Sequence, residues 1–489
     1  MRRPIAGVLL ALASCLPAAM AAQGGARKPC DLVVRGVVVN GEPTLHQTMW
    51  KQVSGLYNTI SGGGVDAICD GTDQRLLADS AESYGDQKLV YLFGHVKYSE
   101  ARVTLTADRM TYWTGEERLL AEGHVVGVTN NGTHFTGPSA TYLRVAPGIR
   151  TQSRLDATGR PDVWISGTDV GSKEKKDSVN ILADRVISVN DSLVWAIRNV
   201  IIKRPDIIAT GDSAYMDNGP EMLWLMVKPR VEGNGDRKFT LVGDLITVKS
   251  RDRQVERVKS LGHAKATSDE VTLVSDTIDL RVKEQKLERA FAWGPGRAKA
   301  DAQDRKITAD SIDIVMPGQV IREMRAVRGA KAESFPDTAK ISSKQMDWLR
   351  GDTIRTYFDS VAAGDTTAKP QVKQIVSTGS AKSYYQMAPS GATKKSDQPN
   401  INYVTGNRIV VDLKDKEVET VTVIGKAAGF YNELAPDSTK ANAAADSTKK
   451  GKAPAKGKAA PAPAKGKPAA KDSTSAKKPA SGEAKRTAS

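Results

Sequence analysis

Residues 102–126 read RVTLTADRMTYWTGEERLLAEGHVV. Val103, Leu105 and Ala107 alternate with polar residues, and after Asp108 the alternation resumes in the other phase at Met110 and Tyr112. Period two is the signature of a strand, and one skipped position turns the apolar face over, which requires a bulge or bend. Thr114-Gly115 supplies a turn, and Leu119 to Val125 supplies a return strand. The stretch therefore predicts a hairpin with one bend at the aspartate.

The same pattern recurs about ten times between residues 75 and 428. Its reference position is filled by Asp79, Asp108, Pro138, Asp184, Asp212, Asp244, Asp276, Asp310, Lys344 and Asn407, most of them 28 to 34 residues apart. A small residue precedes it each time, as a tight bend demands. Apolar residues recur three before it and two after it, such as Leu105 with Met110 and Leu273 with Ile278. The return strands carry Gly-x-Val/Ala, as in Gly94-His95-Val96, Gly123-His124-Val125 and Gly262-His263-Ala264, from which Gly329-Ala330-Lys331 departs. Polar stretches at 168–178, 364–370 and 389–399 read as loops. Strands that bend at one place in every unit predict an all-β fold: an elongated β-jellyroll or V-shaped antiparallel sandwich of about ten repeated hairpins.

Aromatics make up only 5% of the 489 residues, which argues against an outer-membrane barrel with its aromatic girdles. The net charge is +15, but twelve Lys and one Arg against three Asp and one Glu place +9 of it between Asp437 and Ser489. Residues 436–489 have no apolar periodicity and read as a disordered cationic tail rich in Lys, Ala and Pro. At the other end, Arg2-Arg3, the apolar run Ile5–Leu12 and Ala19-Met20-Ala21 form a targeting segment over residues 1–22. A competing reading makes Leu12-Ala13-Ser14-Cys15 a lipoprotein signal lipidated at Cys15; both readings export the chain. Cys30 and Cys69 then suggest one disulfide closing 39 residues, worth about 3–4 kcal/mol by chain entropy, or else two buried thiols. Residues 23–72 read as an N-terminal β cap over the first open sheet edge, residues 73–165 as the best-formed repeats, and residues 166–435 as their continuation.

Thr106-Ala107-Asp108 through Tyr112, followed by Ala121-Glu122-Gly123-His124-Val125, resembles the OstA-like repeat. That repeat builds the β-jellyroll of the lipopolysaccharide-transport proteins LptA and LptC and the N-terminal domain of LptD. The resemblance is best over 75–145 and fainter through 180–430. It implies a groove that shelters the acyl chains of lipopolysaccharide or a related lipid, and units that pair edge to edge with other jellyroll proteins in the periplasm. The chain departs from the family in carrying no C-terminal barrel, more repeats than a single bridge subunit, and the basic tail. If the two sheets splay, Leu105, Met110, Tyr112, Ile278, Leu280, Ile312, Ile314, Ile409 and Val411 line the groove. The same residues serve equally as the closed core of an ordinary sandwich.

Neither a catalytic residue nor a cofactor is expected. No Gly-x-Ser-x-Gly elbow, P-loop, CxxC or HExxH is present. His95, His124 and His263 share one slot, but Arg297, Ser380 and Lys426 fill it elsewhere, so it reads as a tolerant exposed position and no metal is expected. The aspartate ladder, which a carbohydrate-active β-helix or a calcium site would use, reads instead as bend residues whose carboxylates accept backbone N–H groups. The tail lacks interleaved aromatics, so anionic lipid or cell-wall polymer fits it better than nucleic acid. The expected role is an exported lipid conduit, with a structural envelope fibre as the alternative.

Overall fold

In a computed structural model of the chain, the described residues are 32–40, 42–165, 178–233, 238–252, 254–302, 305–336, 339–359, 370–389, 395–414 and 417–432. The chain divides into a unit of residues 1–434 and a second of 435–489, and the second lies outside the described residues. So do the targeting segment, Cys15, Cys30, and most of the three expected loops.

The first unit is all β: thirty antiparallel strands hydrogen-bond in one continuous ladder, with a small hairpin of Val38–Val39 and Glu42–Pro43 beside it. Among the described residues the one helical element is the 3-10 turn Pro317–Gln319. The long strands, such as Val103–Trp113, Arg118–Thr129 and Val271–Lys283, change direction midway. Opposite Pro138, Asp212, Asp276, Asp352 and Asn407 the neighbouring strand inserts two residues against one. This is the bulge that the skipped position predicts.

Those inserted pairs have a common conformation. Gly94-His95, Gly123-His124, Gly262-His263, Gly379-Ser380 and Gly425-Lys426 all lie in the left-handed region at both residues. Glycine suits the first position for a second reason as well. A Cβ on Gly123 would lie 2.3 Å from the Asp108 carboxylate, and Gly94, Gly262 and Gly379 meet Asp79, Asp244 and Asp352 in the same way. Arg198-Asn199 and Val227-Lys228 adopt the same pair of angles without glycine, and Arg328-Gly329 places the glycine second.

The bends divide the ladder into two half-sheets whose inner faces share one core. The first half-sheet carries the segments before each reference residue and the second carries those after it. Leu105, Ala107, Met110 and Tyr112 are all buried, and Leu273, Ile278 and Leu280 repeat the arrangement five units on. The cluster runs from Val65 to Ile409. Beside the bend the inward residues are small (Ala78, Ala107, Ala183, Ala309), and further out they are larger (Leu76, Leu105, Ile181, Ile307). A wedge-shaped interior follows from that taper, narrow at the bends and wide at the opposite margin.

One expectation changes. The ninth unit is referenced by Asp352, not Lys344: Gly351 precedes it, Leu349 and Ile354 are buried on either side, and Gly379 packs on its carboxylate. Lys344 falls in an excursion instead, where Ile341 bridges Ser396. Residues 32–69 cover the first repeat's edge by adding strands to it, and so leave a new edge of their own. Val65–Cys69 extends the first half-sheet through Arg75–Ala78, and Tyr57–Gly62 extends the second through Ser80–Tyr84. The outermost strand, His46–Lys51, is exposed at all six residues.

Candidate functional site

The interior between the half-sheets is the candidate site, because the nine predicted lining residues meet there. Leu105, Met110, Tyr112, Ile278, Leu280, Ile312, Ile314 and Ile409 are each 2% exposed or less and belong to one core cluster, against which the partly buried Val411 packs. Each such residue contributes about 2 kcal/mol by leaving water. Cys69, at the end of Val65–Cys69, is buried and disulfide-bonded.

The bend line is polar. His95 Nδ1 lies 2.9 Å from Asp79, His124 2.8 Å from Asp108 and His263 2.8 Å from Asp244. Sequence reasoning had the carboxylates accepting backbone N–H groups. Asp276 does so, from Gly296 at 2.7 Å, but these three accept from the histidine of the next strand. The bond to the carboxylate raises His95 and His263 above the ordinary histidine value. Asp184 is held below the usual carboxylate range by Asn199 and then by Arg160. A crevice of about 580 Å³ opens here between Arg160, Asp184 and Lys228. Among the described residues no three His, Cys, Asp or Glu are grouped to hold a metal ion.

The wide margin of the wedge is different, and nothing in the periodicity pointed to it. Three inward tyrosines end in hydroxyls there. Tyr98 donates to Glu100 at 2.9 Å, Tyr142 donates to the same carboxylate, and Tyr112 donates to Glu117 at 2.6 Å and lies 3.3 Å from the Gln74 amide. Arg144 Nε donates to Glu100 at 2.8 Å, and its guanidinium lies 3.7 Å from Glu117. Glu100 and Gln74 stand at the margin of the first half-sheet, Tyr142 and Arg144 at that of the second. Burial, then Glu100, pushes the Tyr98 hydroxyl well up, and Tyr112 and Tyr142 shift the same way. Burial works against the Arg144 charge, but Glu100 and its neighbours outweigh it and hold the guanidinium above its ordinary value.

Near the other end, Asp347 is 4% exposed and accepts from the Gln386 backbone N–H at 2.9 Å. Burial raises its carboxyl to about 6.

The tryptophans, dispersed in sequence, are gathered by register onto the outer faces. None of the seven is in the core cluster. Trp195 lies opposite Tyr215 and Tyr215 opposite Trp224, with ring centroids 5.2 and 5.1 Å apart. Such cross-strand pairs stabilise the sheet.

The ladder and its doubled core define an antiparallel, jellyroll-like all-β protein. No protein-family model matches the chain, and no curated protein matches it. Among solved structures it is similar to LptH of Pseudomonas aeruginosa, the LptA-homologous periplasmic component of the lipopolysaccharide transport device, at 12% identity over 32% of this chain and 83% of that one, with a TM-score of 0.16. The fold assignment rests on the strand ladder itself and not on this likeness.

Proposed function

We propose that the chain is an exported lipid conduit of the periplasm that carries lipopolysaccharide or a related multi-acyl lipid for outer-membrane assembly, with its acyl chains between the two half-sheets. The carrying observation is the apolar wedge that continues from Val65 to Ile409 through every unit. Among the described residues, backbone hydrogen bonds run along each half-sheet, and the margins opposite the bends are joined through side chains. Acyl chains placed in the wedge gain about 0.8 kcal/mol per methylene removed from water. The ends support a chain of such proteins. Among the described residues, Leu32–Val34 and His46–Lys51 each pair on one side only, as do Glu417–Ile424 and Ala428–Asn432 at the other end. Met49 and Trp50 at one end, and Phe430 and Tyr431 at the other, are 40% to 58% exposed. Unpaired edges of this kind accept another strand. The role is binding and passage, without catalysis, and the basic tail adds an attachment to anionic lipid or cell-wall polymer.

A second reading, a structural envelope fibre, draws on the near-complete burial of eight of the nine lining residues. One experiment separates the two. The full chain is exported to a Gram-negative periplasm, purified in mild buffer, and its extracted ligand weighed by mass spectrometry. A multi-acyl lipid in near-stoichiometric amount, lost in Ile312→Asp, supports the conduit. A protein that arrives empty and binds no added lipopolysaccharide overturns it and leaves the fibre.

A further inference from the structure

We infer that the margin between Glu100 and Arg144 is a latched side portal through which acyl chains enter the wedge, with the line of bends as its hinge. This deepens the lipid-conduit reading and rests on it. The polar groups at this margin tie one half-sheet to the other. Arg144 and Tyr142 of the second reach Glu100 of the first, and Tyr112 of the second reaches Gln74 of the first. With the Gln74 amide turned so that its oxygen faces the guanidinium, it accepts from Arg144 Nη1 at 2.6 Å. Along the same margin Arg102 donates to Ser153 Oγ at 3.4 Å, and the Asn131 amide to the Asp191 carbonyl at 3.4 Å.

No ladder hydrogen bond crosses this margin, because the ladder runs from Ser99 through Thr104 to Val128 on one side and from Val90 through Tyr112 to Leu119 on the other. The half-sheets can therefore separate here by breaking side-chain contacts alone. The opposite line is built to flex. Most return strands cross it through a bulge with two left-handed residues, as at Gly123-His124 and Gly262-His263, and the inward side chains there are small. Bulges and bends absorb such rotations. The buried hydroxyls place this opening among otherwise apolar walls. Tyr98 and Tyr142 pack ring to ring at 6.1 Å with their hydroxyls turned to Glu100, so parting the latch exposes an aromatic path into the core.

The test uses the full chain and cis-parinaric acid, which fluoresces on entering an apolar site. In Arg144→Met/Glu100→Gln the closest ion pair of the latch is removed from both sides at once, and Glu117 keeps the Tyr112 hydroxyl as its donor. Uptake is expected to quicken about tenfold or more, the factor that loss of one charge-assisted hydrogen bond implies. Amide hydrogen exchange in 99–103 and 142–154 is expected to quicken with it. In a second protein, Glu100→Cys and Arg144→Cys are joined by a bismaleimide, which is expected to slow uptake below that of the same protein capped with single maleimides. Equal uptake by linked, capped and wild-type proteins, with parinaric acid bound by all, overturns the portal and leaves the conduit standing. Uptake by none of them, wild type included, overturns the conduit and the portal with it. Unchanged exchange in the double variant overturns the latch whichever way the lipid behaves.

Discussion

Replacing Asp347 by Asn should stabilise its end of the molecule at neutral pH and leave it unchanged in acid. The carboxyl is 4% exposed, and its two recorded contacts come from the Gln386 backbone and side-chain N–H groups at 2.9 and 3.1 Å, with no cation among them. Burial raises it to about 6 from 3.8. A carboxyl raised on folding binds its proton more tightly in the folded state. Its penalty is therefore absent below the unfolded value, grows between pH 4 and 6, and is complete above pH 6. At 1.36 kcal/mol per unit the full penalty is about 3 kcal/mol, and about 2 kcal/mol after screening by solvent at the margin. Asn keeps an oxygen for Gln386 and loses the charge. Repeat arrays do not unfold in one step, so the measurement is native-state hydrogen exchange in 347–358 and 372–387, at pH 5 and at pH 7.5 with chemical exchange rates corrected. Protection should rise by about 2 kcal/mol at pH 7.5 and by about half of that at pH 5. Equal effects at the two pH values, or lower protection at pH 7.5, would refute the reasoning.

Further outcomes follow from the bends and the ends. Gly123→Ala should weaken protection of 103–129 by about 2–3 kcal/mol, since it strains a left-handed residue and displaces Asp108, whereas Gly148→Ala, left-handed but with open space around it, should lose only about 1 kcal/mol. His263 should titrate above the ordinary histidine value by NMR, and Asp244→Asn should return it there. The stabilisation from that pair is present below the unfolded histidine value and is lost as pH rises through the folded one. Phe430→Lys, on the exposed strand Ala428–Asn432, should reduce end-to-end association in analytical ultracentrifugation while leaving hydrogen exchange of the core unchanged.

The repeat was legible because burial imposes it. Inward positions three before and two after each bend must be apolar, so Leu105, Met110, Ile278 and Ile312 declared themselves. The misplaced ninth reference shows where that logic is weak. Ile341, Lys344 and Met346 mimic the pattern at an even spacing, and the real unit at Leu349, Asp352 and Ile354 lies where a longer connection puts it. The histidine slot was rightly seen as exposed, but its aspartate partner was hidden. That contact comes from two successive left-handed residues, and Arg198-Asn199 shows that glycine need not mark them. Glu100, Glu117 and Arg144 sit at strand ends, beyond any period. The signal that could have found them was chemical: Tyr98, Tyr112 and Tyr142 occupy inward positions, and a buried hydroxyl requires a partner.

The tight packing of the lining residues and the conduit reading are compatible when magnitudes are compared. With the wedge closed, Leu105, Ile278 and Ile312 fill the space an acyl chain would take. Admitting the chain exchanges contacts among side chains for contacts with lipid, and dispersion nearly balances across that exchange. What remains is the latch against the transfer of the chain. Parting the Tyr142, Arg144 and Tyr112 contacts costs about 4 kcal/mol by the usual worth of neutral and charge-assisted hydrogen bonds. Moving about twelve methylenes out of water returns about 9–10 kcal/mol. A second chain entering an opened wedge meets no latch, so binding of the first should favour the second, which suits a lipid with several acyl chains better than a free fatty acid. Cooperative uptake of a single-chain fatty acid, beside tighter and simply hyperbolic uptake of a multi-acyl lipid whose chains enter in one event, is the expected result. Hyperbolic binding of both would mean that the wedge opens without the latch.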